Sequence, residues 1–220
     1  EGIRANRERT GLELAAAYVV VDMNDPNPDG AHTIEEVMDQ LDEGDILELA
    51  LKVGWKESVS DPAMDPKAIE LLERYLPIAK SRRLKISLYH HFGFYAERFS
   101  DCVRVAKKID DPDLGVTFCG YHWYAADQSD LLTNLQSAGS LLKLVNVCGS
   151  RRKPDSADSP LKYTIEVVGA GDFPLHEFIR SLRAVGYDGD VGFQGYNLTG
   201  HAPSNLRNSL EAWKKAVSEV

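Results

Sequence analysis

The sequence predicts an α/β protein built on a parallel sheet. Seven short apolar runs alternate with amphipathic helical stretches along 220 residues. Strands separated by helices return in the same direction, which is the pattern of a parallel sheet. The runs are also near-continuous in Val, Ile, Leu and aromatic residues, as strands covered on both faces require.

The runs are Leu14–Asp22, Asp45–Val53, Leu84–His91, Leu114–Cys119, Leu141–Cys148, Tyr163–Val168 and Asp190–Gln194. Before the first, Ile3–Thr10 reads as the end of a helix. Thr33 opens the next helix, with Glu36 three residues on as a capping box and Ile34, Val37, Met38 and Leu41 as its stripe. Asp65-Pro66 opens another, carrying Ile69, Leu72, Leu76 and Ala79. Phe99, Val103, Ala106 and Ile109 mark a third, and Leu131, Leu135 and Ala138 a shorter one. Leu175, Phe178, Leu182 and Val185 mark a fifth, ended by Gly186, and Leu206, Leu210, Trp213 and Val217 the last. All these stripes have helical period.

A closed barrel and an open doubly wound sheet both fit this alternation. No GxGxxG follows an early strand, and Gly169-Ala170-Gly171 comes only after the sixth run, which disfavours a dinucleotide-binding sheet. A closed barrel needs eight strands and seven runs are visible. The expectation is that the first strand and part of its helix lie upstream of Glu1.

Composition narrows the function. At 43% hydrophobic the chain can bury one core, so a single domain over residues 1–220 is expected. No stretch approaches the roughly 18 apolar residues of a membrane span, and no signal-peptide pattern opens the chain. The net charge is −9, and the basic clusters are only Arg82-Arg83-Lys85 and Arg151-Arg152-Lys153, which disfavours a nucleic-acid partner. Cys102, Cys119 and Cys148 are odd in number and far apart, unlike a disulfide scaffold or a zinc knuckle. The compartment stays open.

Side chains alternate along a strand. If Ile86 and Leu88 face the helices, Ser87, Tyr89 and His91 face inward. The same rule turns Thr117 and Cys119, then Leu144, Asn146 and Cys148, then Gly192 and Gln194 inward. Glu48, Ala50 and Lys52 follow, because Leu47, Leu49 and Leu51 take the other side. His91, Cys119, Asn146 and Gln194 thus sit late in their strands, at the end where barrel active sites lie. A polar ligand would satisfy them; so would water or one another. Glu48 and Lys52 read equally as a proton-transfer pair or a structural ion pair.

Around these strands, Tyr121, Trp123 and Tyr124 flank His122 and suit either stacking on a sugar ring or plain packing. Arg151 and Arg152 open a loop where an anionic substituent could be gripped. Asp172 lies in the glycine-rich turn, where it reads as a helix cap. The Arg151–Pro160 stretch, rich in Ser, Asp and Pro, reads as a lid or an unstructured loop. Trp55, Phe92 and Phe94 just after strand ends suit carbohydrate binding or an oligomer contact.

Two segments carry a resemblance. One is Leu114-Gly115-Val116-Thr117-Phe118-Cys119-Gly120-Tyr121-His122. The other runs from Gly169-Ala170-Gly171-Asp172-Phe173 into Leu182-Arg183-Ala184-Val185-Gly186-Tyr187-Asp188-Gly189-Asp190-Val191. With the order of the runs, they resemble the sugar phosphate isomerase/epimerase family with the xylose-isomerase-like TIM barrel. The resemblance implies a (β/α)8 barrel lacking its first strand, and a divalent cation held by Glu, Asp, His and Glu from successive strands. This sequence departs from that pattern. His91 stands at the first acidic position, Cys119 at the Asp of the DxxH motif whose His122 is kept, Asn146 at the third ligand and Gln194 at the final Glu. Mg²⁺ and Mn²⁺ prefer carboxylate oxygen, so no cofactor is expected. If a metal were bound, His91, Cys119 and His122 would hold it, a set zinc accepts.

The function expected is isomerisation or epimerisation of a sugar or sugar derivative. Glu48, Lys52, His91 and His122 are the acid–base candidates. Asn146, Gln194, Cys119, Arg151 and Trp123 are the substrate-binding ones. A non-catalytic carbohydrate-binding barrel and a sugar lyase or hydrolase are the alternatives.

Overall fold

A computed structural model describes residues 2–27, 32–54, 56–154 and 162–220. They form two compact units, Glu1–Thr117 and Phe118–Val220. The strand Leu114–Cys119 runs across the division between them.

In the first unit, α1 (Ile3–Thr10) ends at Gly11 in the left-handed conformation. Then follow β1 (Ala16–Asp22), α2 (Ile34–Met38), β2 (Ile46–Lys52), α3 (Asp65–Ser81), β3 (Lys85–Tyr89), α4 (Phe99–Ile109) and β4 (Leu114–Cys119). The four strands pair in sequence order, all parallel. The predicted capping box opens α2: Glu36 N–H donates to Thr33 Oγ1 at 3.1 Å and Thr33 N–H to Glu36 at 2.8 Å. Pro66 lies in the first turn of α3, where its missing N–H is not needed.

Leu47, Leu49 and Leu51 are buried to 0–1% exposure. Each contributes about 1.5–3 kcal/mol by leaving water, and together they fix which side of β2 faces the core. Glu48 is therefore turned to the other side, in register with Tyr18 on β1 and Ser87 on β3. That side is open to solvent at β1, where Tyr18 and Val20 are 44% and 42% exposed.

The second unit holds α5 (Gly120–Ala126), α6 (Leu131–Ala138), β5 (Leu142–Val147), α7 (Leu175–Ala184), β6 (Val191–Phe193) and α8 (Ala202–Ser218). β5 and β6 pair in parallel, and α7 packs against both α6 and α8. Phe178 of α7 stacks on Phe118 at 5.8 Å and meets Phe173 edge-on.

Two expectations are corrected. Six strands, not seven, lie among the described residues, because Tyr163–Val168 is not a sheet strand. It folds back on the chain after β5 through antiparallel bridges, Gly149 to Glu166 and Arg152 to Tyr163. Gly171 lets the chain cross beside them: its φ is +76°, and a Cβ there would lie 2.2 Å from the Ser150 carbonyl oxygen. The aromatic segment around His122 forms α5. The predicted stripe of α8 is not its buried face. Leu206 and Leu210 are 57% and 51% exposed, while Ser209 and Ala216 are buried. Small residues decide this: Ser209 Oγ accepts from Val168 N–H, and Ala212 sits under Gly169. The lid expected at Arg151–Pro160 falls largely outside the described residues. Its base is paired, with Thr164 N–H donating to Arg151 O at 3.0 Å.

Truncating the β2 core should be severe. Leu49→Ala is expected to lose about 2–5 kcal/mol in chemical denaturation. Val20→Ala on the exposed side should lose under about 1 kcal/mol.

Candidate functional site

In the first unit the polar groups gather on the Glu48 side of the sheet and at the C-terminal strand ends. Glu48 is only 5% exposed. Beside it, Ser87 and Thr117 are fully buried and share a 2.8 Å hydrogen bond between their hydroxyls. Tyr89 meets Tyr18 edge-on at 4.9 Å.

Lys52 ends β2, four residues beyond Glu48 and about 13 Å along the strand at its usual rise. Its carboxylate neighbour is across the ladder instead. Asp22 is its register partner, with Nζ 3.8 Å from the carboxylate and both side chains about a third exposed. Asp22 also accepts from Asn24 N–H at 2.9 Å. Sequence reasoning missed Asp22, although alternation places it on the same side as Tyr18 and Val20, closing β1 as Lys52 closes β2.

His91 follows β3. Its Nδ1–H donates to the Phe92 carbonyl oxygen at 2.8 Å, and its ring stacks on Phe94 at 3.9 Å. A carbonyl only accepts, so Nδ1 carries the proton and Nε2 is left as the basic nitrogen. Burial lowers the pKa of His91 from its ordinary 6.5, keeping the ring neutral. His90, of opposite parity, is fully buried and packs edge-on against Phe99, on α4. Phe94 is itself buried, so it is a support for His91 and not an exposed ring at the strand ends. Lys56 Nζ lies 5.5 Å over Phe92. Trp55 lies outside the described residues.

In the second unit, Cys119 closes β4 and Cys148 follows β5, both outside any disulfide and fully buried. Tyr121 packs beside them: burial, with Cys148 and Cys119 nearby, pushes its pKa up to about 12. Burial drives the Cys148 thiol well up too, so it stays protonated at neutral pH. His122 is buried on α5, edge-on to Tyr121 at 5.0 Å.

Asn146 and Gln194 lie at the ends of β5 and β6. Asn146 is in register with Gly192, and a Cβ on that glycine would come within 2.3 Å of Asn146 Oδ1. The glycine makes room for the amide. Gln194 N–H donates to Val147 O at 2.9 Å, carrying the ladder one step past β6. A cleft of about 580 Å³ opens at the other ends of these strands, lined by residues such as Lys143 and Tyr187. Parallel sheets bind ligands at the carboxyl ends of their strands, which favours the Asn146 and Gln194 end.

Other candidates are already engaged. Arg151 makes a two-point contact with Glu166, Nε at 2.7 Å and Nη2 at 3.1 Å, so its fork is filled by a carboxylate of the same chain. Trp123 is 5% exposed; its indole N–H donates to Ser129 O at 2.9 Å and its ring stands edge-on to Phe173. That is core packing, not a platform for a sugar. Asp172 does not cap α7, whose N-cap is Pro174 with no side-chain cap.

The donors do not fit a hard divalent cation. Asn146 and Gln194 offer only neutral amide oxygens, weaker ligands for such an ion than carboxylates. Among the described residues no group of three His, Cys, Asp or Glu side chains is placed to hold a metal ion.

The lowered pKa of His91 has a consequence for stability. The unfolded chain binds a proton near the ordinary pKa and the folded chain only below it. Stability contributed by the neutral ring is full above the ordinary value and is lost as pH falls through it toward the folded value. Between about pH 7 and about pH 5 the melting temperature should therefore fall less in His91→Asn than in the parent, read by calorimetry.

Comparisons with known proteins place the chain. Mannonate dehydratase from Enterococcus faecalis (strain ATCC 700802 / V583) is 24% identical over 128 residues, 54% of this chain and 35% of that protein. The chain thus spans about a third of the length of this curated relative. The crystal structure of the IOLI protein with a binding zinc atom superposes with a TM-score of 0.75 at 14% identity, covering 100% of this chain and 82% of that one. The 3-keto-D-glucoside 4-epimerase YcjR from E. coli gives 0.70 at 18%, covering 96% and 82%. L-ribulose 3-epimerase gives 0.71 at 11%, covering 99% and 79%. These structures share the fold. The family described as "Xylose isomerase-like TIM barrel" matches residues 1–216, and the chain belongs to that family.

Proposed function

We propose that the protein is an isomerase or epimerase of a sugar or sugar derivative, moving a proton at a carbon next to a carbonyl. The observation that carries this is Glu48, a carboxyl buried on the polar side of the sheet while the Asp22–Lys52 pair closes the strands above it. Proton abstraction needs a positioned base. Glu48 takes the proton from carbon. The electron pair moves to the carbonyl oxygen, giving an enediolate, while Lys52, its ammonium fixed by Asp22, binds a hydroxyl farther along the substrate. Return of the proton to the opposite face of the same carbon gives the epimer. Return to the former carbonyl carbon, with the hydroxyl proton passing from the other oxygen to the former carbonyl oxygen, gives the isomer.

His91 is a second acid–base candidate through Nε2. In the second unit, Asn146 and Gln194 carry neutral amides suited to sugar hydroxyls, and Cys119 and His122 are buried residues of the same strand end and helix. The epimerase names among the structural neighbours agree with this reading.

The mannonate dehydratase match favours one other course of the same first step. If the carbon beside the enediolate carries a leaving hydroxyl, loss of water replaces reprotonation and the protein is a lyase.

Incubation with a panel of aldoses, ketoses and sugar acids, with products identified by NMR, tests these readings. An epimer or isomer is expected. Glu48→Gln should reduce turnover by about 10² or more with the fold unchanged by circular dichroism. Full turnover in Glu48→Gln removes this residue from the mechanism, and binding without conversion would make the protein a carbohydrate-binding barrel.

A further inference from the structure

The connections that follow β2 and β3 are joined to each other. Lys56 N–H donates to Gly93 O at 2.7 Å and Ser60 N–H to Tyr95 O at 2.9 Å. The first of them holds an unfavourable shape: Lys56, Ser58 and Ser60 have φ of 58°, 48° and 52°. Non-glycine residues enter this region at an energetic cost and stay there only where their surroundings over-determine them.

What surrounds them is a buried ionic cluster on the helix layer. Asp65, the first residue of α3, is 1% exposed, and Asp101 on α4 is 2% exposed. One guanidinium bridges both. Arg104 donates from Nε to Asp65 at 2.9 Å, from Nη2 to Asp65 at 3.0 Å and from Nη1 to Asp101 at 2.6 Å. Lys108 adds a bond to Asp65 at 2.7 Å, so two anions meet two cations. Burial alone would raise the Asp65 carboxyl, but bonds from Arg104, Lys108 and Tyr95 hold it well below the usual range. The remaining donors come from the two connections: Ser60 Oγ–H to Asp101 at 2.6 Å, and the buried Tyr95 hydroxyl to Asp65.

A buried ion cluster adds little net stability over a well-packed apolar one. It does supply direction, because a planar fork and two carboxylates fit in few ways. We propose that Arg104 is a positioning residue: with Asp65 and Asp101 it clamps Ser60 and Tyr95, and so fixes the connections that carry Lys56 and His91. The clamp relies on the functional reading above only for what those connections serve. The holding itself stands without it.

Native-state hydrogen exchange of the substrate-free protein tests the clamp. The double variant Ser60→Ala/Tyr95→Phe removes the two anchoring hydroxyls and leaves the Arg104 ion pairs in place. The Lys56 and Ser60 amides should exchange roughly tenfold faster or more, with the amides of β2 and β4 changed by less than about threefold. Uniform acceleration would make the cluster a contributor to global stability only, and no acceleration would show that the connections hold themselves; either overturns the proposal. Arg104→Lys keeps the charge but not the fork, so it too should release the two amides. Protection equal to the parent in Arg104→Lys would remove the guanidinium from the role. Because no sugar is present, failure here is distinct from failure of the isomerase reading.

Discussion

The register of the parallel strands is the constraint from which the rest follows. Side chains alternate with a period of two, so a slip of one residue would exchange the two faces of a strand completely. Burial of Leu47, Leu49 and Leu51 on one side of β2 forbids that slip. It sets Glu48 opposite Ser87 and Lys52 opposite Asp22. The chemistry of the first unit is thus a by-product of where three leucines go.

Within that frame the polar groups have distinct environments. Glu48, Ser87 and Thr117 are buried, whereas Asp22 and Lys52 keep about a third of their side-chain surface in water. A buried carboxyl moving a proton and a partly solvated ammonium holding a distant hydroxyl are different tasks, and the strand places them about 13 Å apart along its length. A substrate spanning that distance would be longer than a single carbonyl group, which suits a polyhydroxylated chain. In the second unit the donors are amides, buried thiols and a buried imidazole. That set suits hydrogen bonding to hydroxyls better than holding a hard cation.

Much of this was legible in the sequence because it depends on local periodicity. Strand runs, the Thr33–Glu36 capping box, the Pro66 helix start and the inward parity of Ser87 and Thr117 all follow from spacing. What spacing could not show depends on pairing between distant segments. Lys52 finds Asp22 because β1 and β2 align in one register, which no single run encodes. Arg151 is filled by Glu166 because Tyr163–Val168 turns back as a hairpin arm, although its composition is that of a strand. Leu206 and Leu210 read as a core stripe, yet Ser209 and Ala212 permit the closer approach and take the inside of α8.

The proposed reaction cleaves a carbon–hydrogen bond beside a carbonyl with a base that exchanges with solvent. The most direct measurement is conversion of a responsive sugar in D₂O, with product analysed by proton NMR. Deuterium is expected at the carbon next to the carbonyl in the product. Product formed without deuterium at that carbon would contradict the proposed reaction.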